Sequence, residues 1–292
     1  MIQYLYLGRV DYDEGLRLQD EIAGLVTAGR AQNVLLLLEH PPVLTLGRNA
    51  NRANILASDE LLKQRGVTVH EINRGGDVTY HGPGQLVGYP IFDLRTLHGP
   101  SGGRMGPVDF VRGMEEALIR LCGEFGVRAG RIQGLTGVWC GKAEIRGQGS
   151  GVSSSTEKDL GDRAGSCGAE RKIGAIGIHV SHGITSHGFA FNVTTDLKDF
   201  TLIIPCGIPD HAVTSLALEA KRPEELPSLE TIANSAARWF GQVFGEQVVA
   251  VEGLAALRGA AAPTQFPAED TPLQIPVEVE RLRGGRERPI RA

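Results

Sequence analysis

The chain has 292 residues, 41% of them hydrophobic and 22% charged, with a net charge of -4. That apolar content is ample for one large or two small domain cores, and the acidic balance argues against a general nucleic-acid binder. No uninterrupted apolar run reaches the ~18 residues of a membrane span, and the opening MIQYLYLGRV has neither a basic region nor a long apolar one, so a cytoplasmic globular protein is expected. The four cysteines, Cys122, Cys140, Cys167 and Cys206, form no Cys-x-x-Cys pair, which leaves free thiols rather than a zinc site as the expectation.

In chain order, residues 3–7 alternate and predict a short strand. Asp11 with Glu14 forms a helix-start box, and Leu18, Ile22, Leu25 and Val26 then share one face of a helix that stops at Gly29. Residues 34–38 are a continuous aliphatic run, which predicts a strand buried on both faces at the centre of a sheet. Pro41-Pro42 makes a rigid corner before the strand resumes over 43–46. Ser58 caps a short helix to Gln64, and residues 67–71 form a strand.

That strand delivers the chain to the segment 73–94, NRGGDVTYHGPGQLVGYPIFDL. Five glycines stand there among Arg74, Asp77, Thr79, Tyr80, His81 and Gln85, a mixture that suits a binding loop: glycine permits close backbone approach while the side chains aim charge and hydrogen bonds. A plain glycine-rich turn explains the glycines but not the packed polar residues. The spacing fits neither dinucleotide-binding nor phosphate-loop fingerprints. Residues 85–94 leave the loop as a strand, and after a polar stretch a helix opens at Pro107 with Val108, Val111, Met114, Leu118, Leu121, Cys122 and Phe125 at helical spacing. Cys122 is therefore expected in the core.

Gly137 to Cys140 reads as a strand end. Residues 141–171, rich in glycine, serine and charge, read as a flexible insertion carrying Cys167, because they lack the apolar surface to offset ordering entropy. Residues 172–180 and 183–193 alternate again and predict a hairpin or two adjacent strands, with Phe189, Phe191 and Val193 on one face. Cys206 follows an apolar run between Pro205 and Gly207, where it is either a buried strand-end thiol or a nucleophile with a bare Gly207 N–H beside it. A helix is expected over 228–244 with Leu229, Ile232, Ala236, Phe240 and Val243 buried, and 258–292 reads as a disordered tail.

RGGDVTYHGPGQLVGYPIFDL at 74–94 resembles the signature of the lipoyl(octanoyl) transferases. EHPPVLTLGR at 39–48, GVW at 137–139, KIGAIGIHV at 172–180, HGFAFNV at 187–193 and IPCGI at 204–208 match the same family in the same order. The resemblance covers roughly residues 1–250; the polar insertion and the C-terminal stretch depart from it without touching a motif. It implies an α+β fold over residues 1–257: a mixed sheet with flanking helices, biotin/lipoate protein ligase-like, with the helices on one side and an acyl tunnel.

The activity it implies is transfer of an octanoyl group from octanoyl-acyl carrier protein to a lysine of lipoyl domains of 2-oxo-acid dehydrogenase complexes or of the glycine-cleavage H protein. This is the first step of protein lipoylation, run through a cysteine thioester, with no cofactor, metal, nucleic-acid or membrane partner. By motif position Cys206 is the acyl acceptor and Lys172 the acid/base. Arg74, Gly75, Gly76, Tyr80, His81 and Gly82 belong to the loop lining the substrate cavity, with Ile176, Gly177, Ile178, His187, Gly188, Phe189 and Ala190 on the strands facing it.

The residues agree chemically. A cysteine divides one crowded acyl transfer into two displacements, each with a competent leaving group, and a neighbouring amine can take the thiol proton. Two other readings stand beside it. An ATP-dependent lipoate or biotin protein ligase shares the fold and uses a lysine without a cysteine nucleophile. A carrier-protein binding module leaves the ordered thiol and amine unexplained. Arg48 and Arg52 are the candidates for a local basic surface that meets an acidic carrier.

Overall fold

The computed structural model describes residues 1–100, 102–141, 170–207 and 211–259, and the statements below concern these residues. They fall in the first of two compact units, Met1–Ala260; the second lies outside the described residues. The aliphatic run becomes β2 (Asn33–Glu39) after β1 (Ile2–Arg9) and α1 (Tyr12–Thr27), and every residue of β2 before Glu39 is buried. Alternate side chains of a strand point to opposite faces. Leu35 and Leu37 therefore enter one core cluster while Val34, Leu36 and Leu38 enter another.

β3 (Val43–Leu46), α2 (Asp59–Gln64), β4 (Thr68–Glu71), β5 (Val78–His81) and β6 (Gln85–Ile91) come next. α3 (Pro107–Glu124), β7 (Ala129–Ile132), β8 (Leu135–Cys140), β9 (Arg171–Ser181) and β10 (Ile184–Asn192) follow. The described chain ends with β11 (Ala212–Val213), α4 (Leu216–Glu219), α5 (Leu229–Phe244), β12 (Val248–Ala250) and α6 (Leu254–Gly259). The large mixed sheet runs β12-β1-β2-β6-β10-β9-β8-β7, with β11 beside β9, and a small sheet runs β4-β3-β5. β1 pairs in parallel with both β12 and β2, while β2, β6, β10, β9, β8 and β7 are successively antiparallel. The α+β fold with a mixed sheet and flanking helices is as expected.

One detail of that expectation changes. The helices cover both faces of the large sheet rather than one: α3 and α5 close over Leu35, Leu37, Leu86, Phe189 and Phe191, while Leu18, Ile22, Leu25 and Val26 of α1 close over Leu36, Leu38, Val87 and Tyr89. An all-apolar central strand leaves no other option, since each face must be kept from water. Cys122 lies in the first of these cores, 0% exposed. A third cluster joins the small sheet, through Leu44, Leu46, Val78 and Tyr80, to Phe200, Leu202 and Ile203 on the approach to Cys206.

Several boundaries differ from the sequence reading. Asp11 stands at the N-cap of α1 but its carboxylate accepts no cap hydrogen bond. β5 interrupts the glycine-rich loop, and β7 was not anticipated. Arg171, assigned to the insertion, opens β9, and residues 142–169, Cys167 among them, lie outside the described residues. Likewise α6 carries Arg258 and Gly259 into the expected tail, with Arg258 paired to Glu21, and residues 260–292 lie outside the described residues. No described helix is long and apolar enough to cross a membrane.

Candidate active site

Cys206 sits in a one-turn 3-10 segment, Pro205–Gly207, and holds φ +57°, a left-handed conformation that a residue with a Cβ rarely adopts. Strain of this kind persists only where the surroundings fix it. Ile204 N–H donates to the Asn54 carbonyl at 2.7 Å, and Asn54 Nδ2 donates to Asp77 Oδ2 at 2.6 Å. Asp77 Oδ1 in turn accepts from the N–H groups of Val78 and Asn51. Gly207, at φ +67°, packs so close to this carboxylate that a Cβ would lie 2.5 Å from Asp77 Oδ2. The aspartate of the Gly-Gly-Asp segment thus braces the cysteine turn through Asn54.

Lys172 arrives from β9 and is 8% exposed; its Nζ donates to Cys206 Sγ at 3.3 Å. The two residues singled out as acyl acceptor and acid/base, 34 positions apart in sequence, therefore meet. They stand in the wall of a cavity that opens to solvent. Of the other expected site residues, Arg74, Gly76, His81, Ile176, Gly177, His187, Gly188, Phe189 and Ala190 share that wall.

Four do not. Gly75 N–H donates to the Ile178 carbonyl at 3.0 Å, so this pair pins the loop to β9 from outside the cavity. Tyr80 is turned into the third core cluster, its ring against Phe200 and its hydroxyl donating to Asp199 at 2.8 Å, because strand alternation on β5 sends it opposite to Thr79 and His81. Gly82 lies against the Tyr80 ring. The bare N–H expected of Gly207 is also taken, since it donates to the Ile204 carbonyl at 3.0 Å. Gly76 N–H, in the cavity wall, has no partner among the described residues.

Residues the sequence reading did not place in the cavity include Tyr12 from α1, Val87 and Tyr89 from β6, and Thr136 from β8. Tyr12 and Tyr89 carried a signal, an aromatic on an otherwise apolar face, but that pattern reads equally well as core. Beneath the cavity the polar groups are organised by burial. His40 Nδ1 donates to the Val10 carbonyl and its Nε2 accepts from Tyr89 Oη, both at 2.6 Å. His81 donates through Nδ1 to Gln85 Oε1 at 2.8 Å, and Gln85 Nε2 donates on to Tyr80 O and Asn192 Oδ1. His187 donates through Nε2 to Asn73 Oδ1 at 2.7 Å.

Burial holds these imidazoles neutral. Desolvation, with His40 adding to it, lowers His81 to about 3; desolvation and the Arg74 charge lower His187 to about 4; and desolvation lowers His40 to about 4. Burial also lowers Arg74, whose guanidinium donates only to neutral acceptors, Gly75 O, Thr45 O and Thr45 Oγ1. Cys122 and Cys140 are poor nucleophiles: burial raises the Cys122 thiol well above its usual range and Cys140 to about 12. The arrangement offers a half-buried thiol, an amine in contact with it and an apolar chamber beyond, which is the equipment of acyl transfer through a thioester.

Comparison with known proteins gives the same direction. Residues 11–240 match the family described as the lipoyl protein ligase A/B catalytic domain. An octanoyltransferase of Acidobacterium capsulatum is 54% identical over 254 residues, covering 86% of this chain and 94% of the relative. An octanoyltransferase of Koribacter versatilis is 46% identical over 282 residues, 97% of each. Among solved structures, a bipartite lipoate protein ligase of Thermoplasma acidophilum superposes with a TM-score of 0.57 at 17% identity, over 88% of this chain and 90% of that one. A lipoate-protein ligase A bound with ATP superposes at 0.56 with 15% identity, over 88% and 92%. At such identities the structural likeness speaks to the fold.

Proposed function

We propose, from the premise that the chain belongs to the lipoyl protein ligase A/B catalytic-domain family and is an acyltransferase, that it moves an octanoyl group from octanoyl-acyl carrier protein to a lipoyl-domain lysine through Cys206. The observation that carries this reading is the 3.3 Å contact between Lys172 Nζ and Cys206 Sγ at the cavity wall. Lys172 takes the thiol proton, and the thiolate attacks the thioester carbonyl of the donor. The tetrahedral intermediate collapses with loss of the carrier thiol, which leaves with the proton from Lys172. In the second half the acceptor amine attacks the Cys206 thioester, gives up a proton to Lys172, and the Cys206 thiolate departs. Each half forms one acyl bond and breaks one, with no external energy source.

Gly76 supports the oxyanion in this scheme, its N–H being uncommitted where those of Gly75 and Gly207 are spent; such a donor typically contributes about 3 to 4 kcal/mol. Ile176, Phe189, Ala190 and Val87 supply apolar wall for the acyl chain. The lipoyl domains of 2-oxo-acid dehydrogenase complexes and the glycine-cleavage H protein are the proposed acceptors, and the cytoplasm the proposed location.

The experiment is intact mass after incubation with octanoyl-acyl carrier protein, with and without ATP. A single octanoyl adduct without nucleotide, absent from Cys206→Ser, is expected. An adduct that appears only with ATP and a free acid would replace this reading with that of a ligase.

A further inference from the structure

Lys172 is buried, and among the described residues nothing acidic meets its amine. Glu219, which stands beside the start of β9, is committed to Arg171 at 2.9 Å and to the Thr214 hydroxyl at 2.6 Å. Among the described residues no carboxylate pairs with Lys172. Two groups meet its Nζ: Cys206 Sγ, and the indole of Trp139, whose ring centroid is 4.6 Å away. Trp139 lies opposite Lys172 in the β8–β9 register, is 1% exposed, and has the His211 ring against it at 5.1 Å.

The strand under this contact is built for it. Gly137, at φ +125°, leaves bare the position where a Cβ would stand 2.6 Å from Gly174 O and 3.4 Å from Lys172 Cε, so the lysine stem can pass along β8. Its N–H donates at 3.0 Å to Glu115, a fully buried carboxylate held also by Arg112 and Arg131. The indole N–H, in contrast, is buried with no partner. An orphaned N–H carries a desolvation penalty that phenylalanine would avoid, so what sets tryptophan apart here is the larger and more negative face of its ring.

When Lys172 takes the thiol proton, a full positive charge appears on a side chain that is 8% exposed. A cation over an indole face is attracted by the ring quadrupole, more strongly over tryptophan than over tyrosine or phenylalanine. We propose that Trp139 is a positioning residue of the catalytic pair: its indole face holds the positive charge of Lys172 beside Cys206 and so favours the thiolate. The inference rests on the roles given to Lys172 and Cys206, but the reactivity of Cys206 can be read without any acyl substrate.

The test uses the full chain carrying Trp239→Phe, which leaves Trp139 as the one tryptophan, produced with ordinary, mono-, di- and trifluorinated tryptophan. Fluorination weakens the quadrupole while nearly preserving ring shape. The rate of Cys206 alkylation by iodoacetamide at neutral pH, followed by peptide mass, should fall in graded steps to about a tenth in the trifluorinated protein. The pH profile of alkylation should move upward in parallel. Equal rates and profiles across the series would overturn the proposal, leaving the ring as packing alone. Trp139→Phe and Trp139→Leu give the companion order, and if the leucine variant fails to fold the fluorinated series still decides. A graded series without octanoyl transfer would fault the acyl reading and leave this inference standing; a flat series with normal transfer would do the reverse.

Discussion

At the scale of single residues, three neutral histidines set how the protein should respond to acid. His40, His81 and His187 are lowered to about 4, 3 and 4 by burial, against about 6.5 in an unfolded chain. A base with a depressed folded value binds fewer protons when folded, so its contribution to stability is present above pH ~6.5 and is lost as pH falls toward the folded value. Each histidine should steepen the loss toward about 1.4 kcal/mol per pH unit across that window. Carboxylates lowered by ion pairs, such as Glu116, Glu124 and Glu219, act in the same direction but at lower pH, because their ordinary values lie near 4.5. Urea midpoints should therefore drop steeply between about pH 6.5 and 5, and His40→Gln should flatten the slope. A midpoint unchanged across that interval would show that these imidazoles are not held neutral. Cys206 and Lys172 were legible in the sequence as motif positions. The placing of His40 and Tyr89 beside His81 was not, since the three come together only through strand pairing.

At the scale of elements, β2 was plain because five aliphatic residues in a row suit only a doubly covered strand, and α3 and α5 because their apolar residues recur at helical spacing. β5 and β7 were missed for physical reasons. β5 has four residues between Asp77 and Gly82 and carries polar Thr79 and His81, while β7 has four residues at a sheet edge, AGRI, with no alternation to detect. The glycine-rich loop proved to be a brace between elements, in which Asp77 grips the 51–54 segment and Asn54 grips the Cys206 turn. Asn54→Ala keeps the backbone carbonyl that receives Ile204 N–H but removes the Nδ2 bond to Asp77; it should keep the fold at a cost of about 1 kcal/mol and lower kcat for acyl transfer about tenfold with KM little changed, because the 51–54 segment that carries that carbonyl is no longer tied to Asp77. A variant with normal kcat would mean that the turn is held without the Asn54–Asp77 link.

At the scale of the whole molecule, the acidic net charge and the proposed acidic donor require a local exception. The proposed one is the 47–52 segment next to the cavity: Arg48 N–H donates to Arg74 O and Asn49 N–H to Gly76 O, and the side chains of Arg48 and Arg52 are exposed, Arg52 within 3.8 Å of Glu71. Reversing both charges should raise the apparent KM for a carrier-borne octanoyl thioester and weaken its salt dependence, while sparing a small octanoyl thioester. Equal losses on both would assign these arginines to the cavity instead. In the proposed scheme the acyl group passes through Cys206, held beside Lys172. The direct measurement is to isolate the enzyme loaded with octanoyl from its donor, map the acyl group by peptide mass, and mix the loaded enzyme rapidly with a lipoyl domain. Octanoyl is expected on Cys206, with delivery to the acceptor lysine at a rate no slower than steady-state turnover. An adduct at any other residue, or delivery slower than turnover, would contradict it.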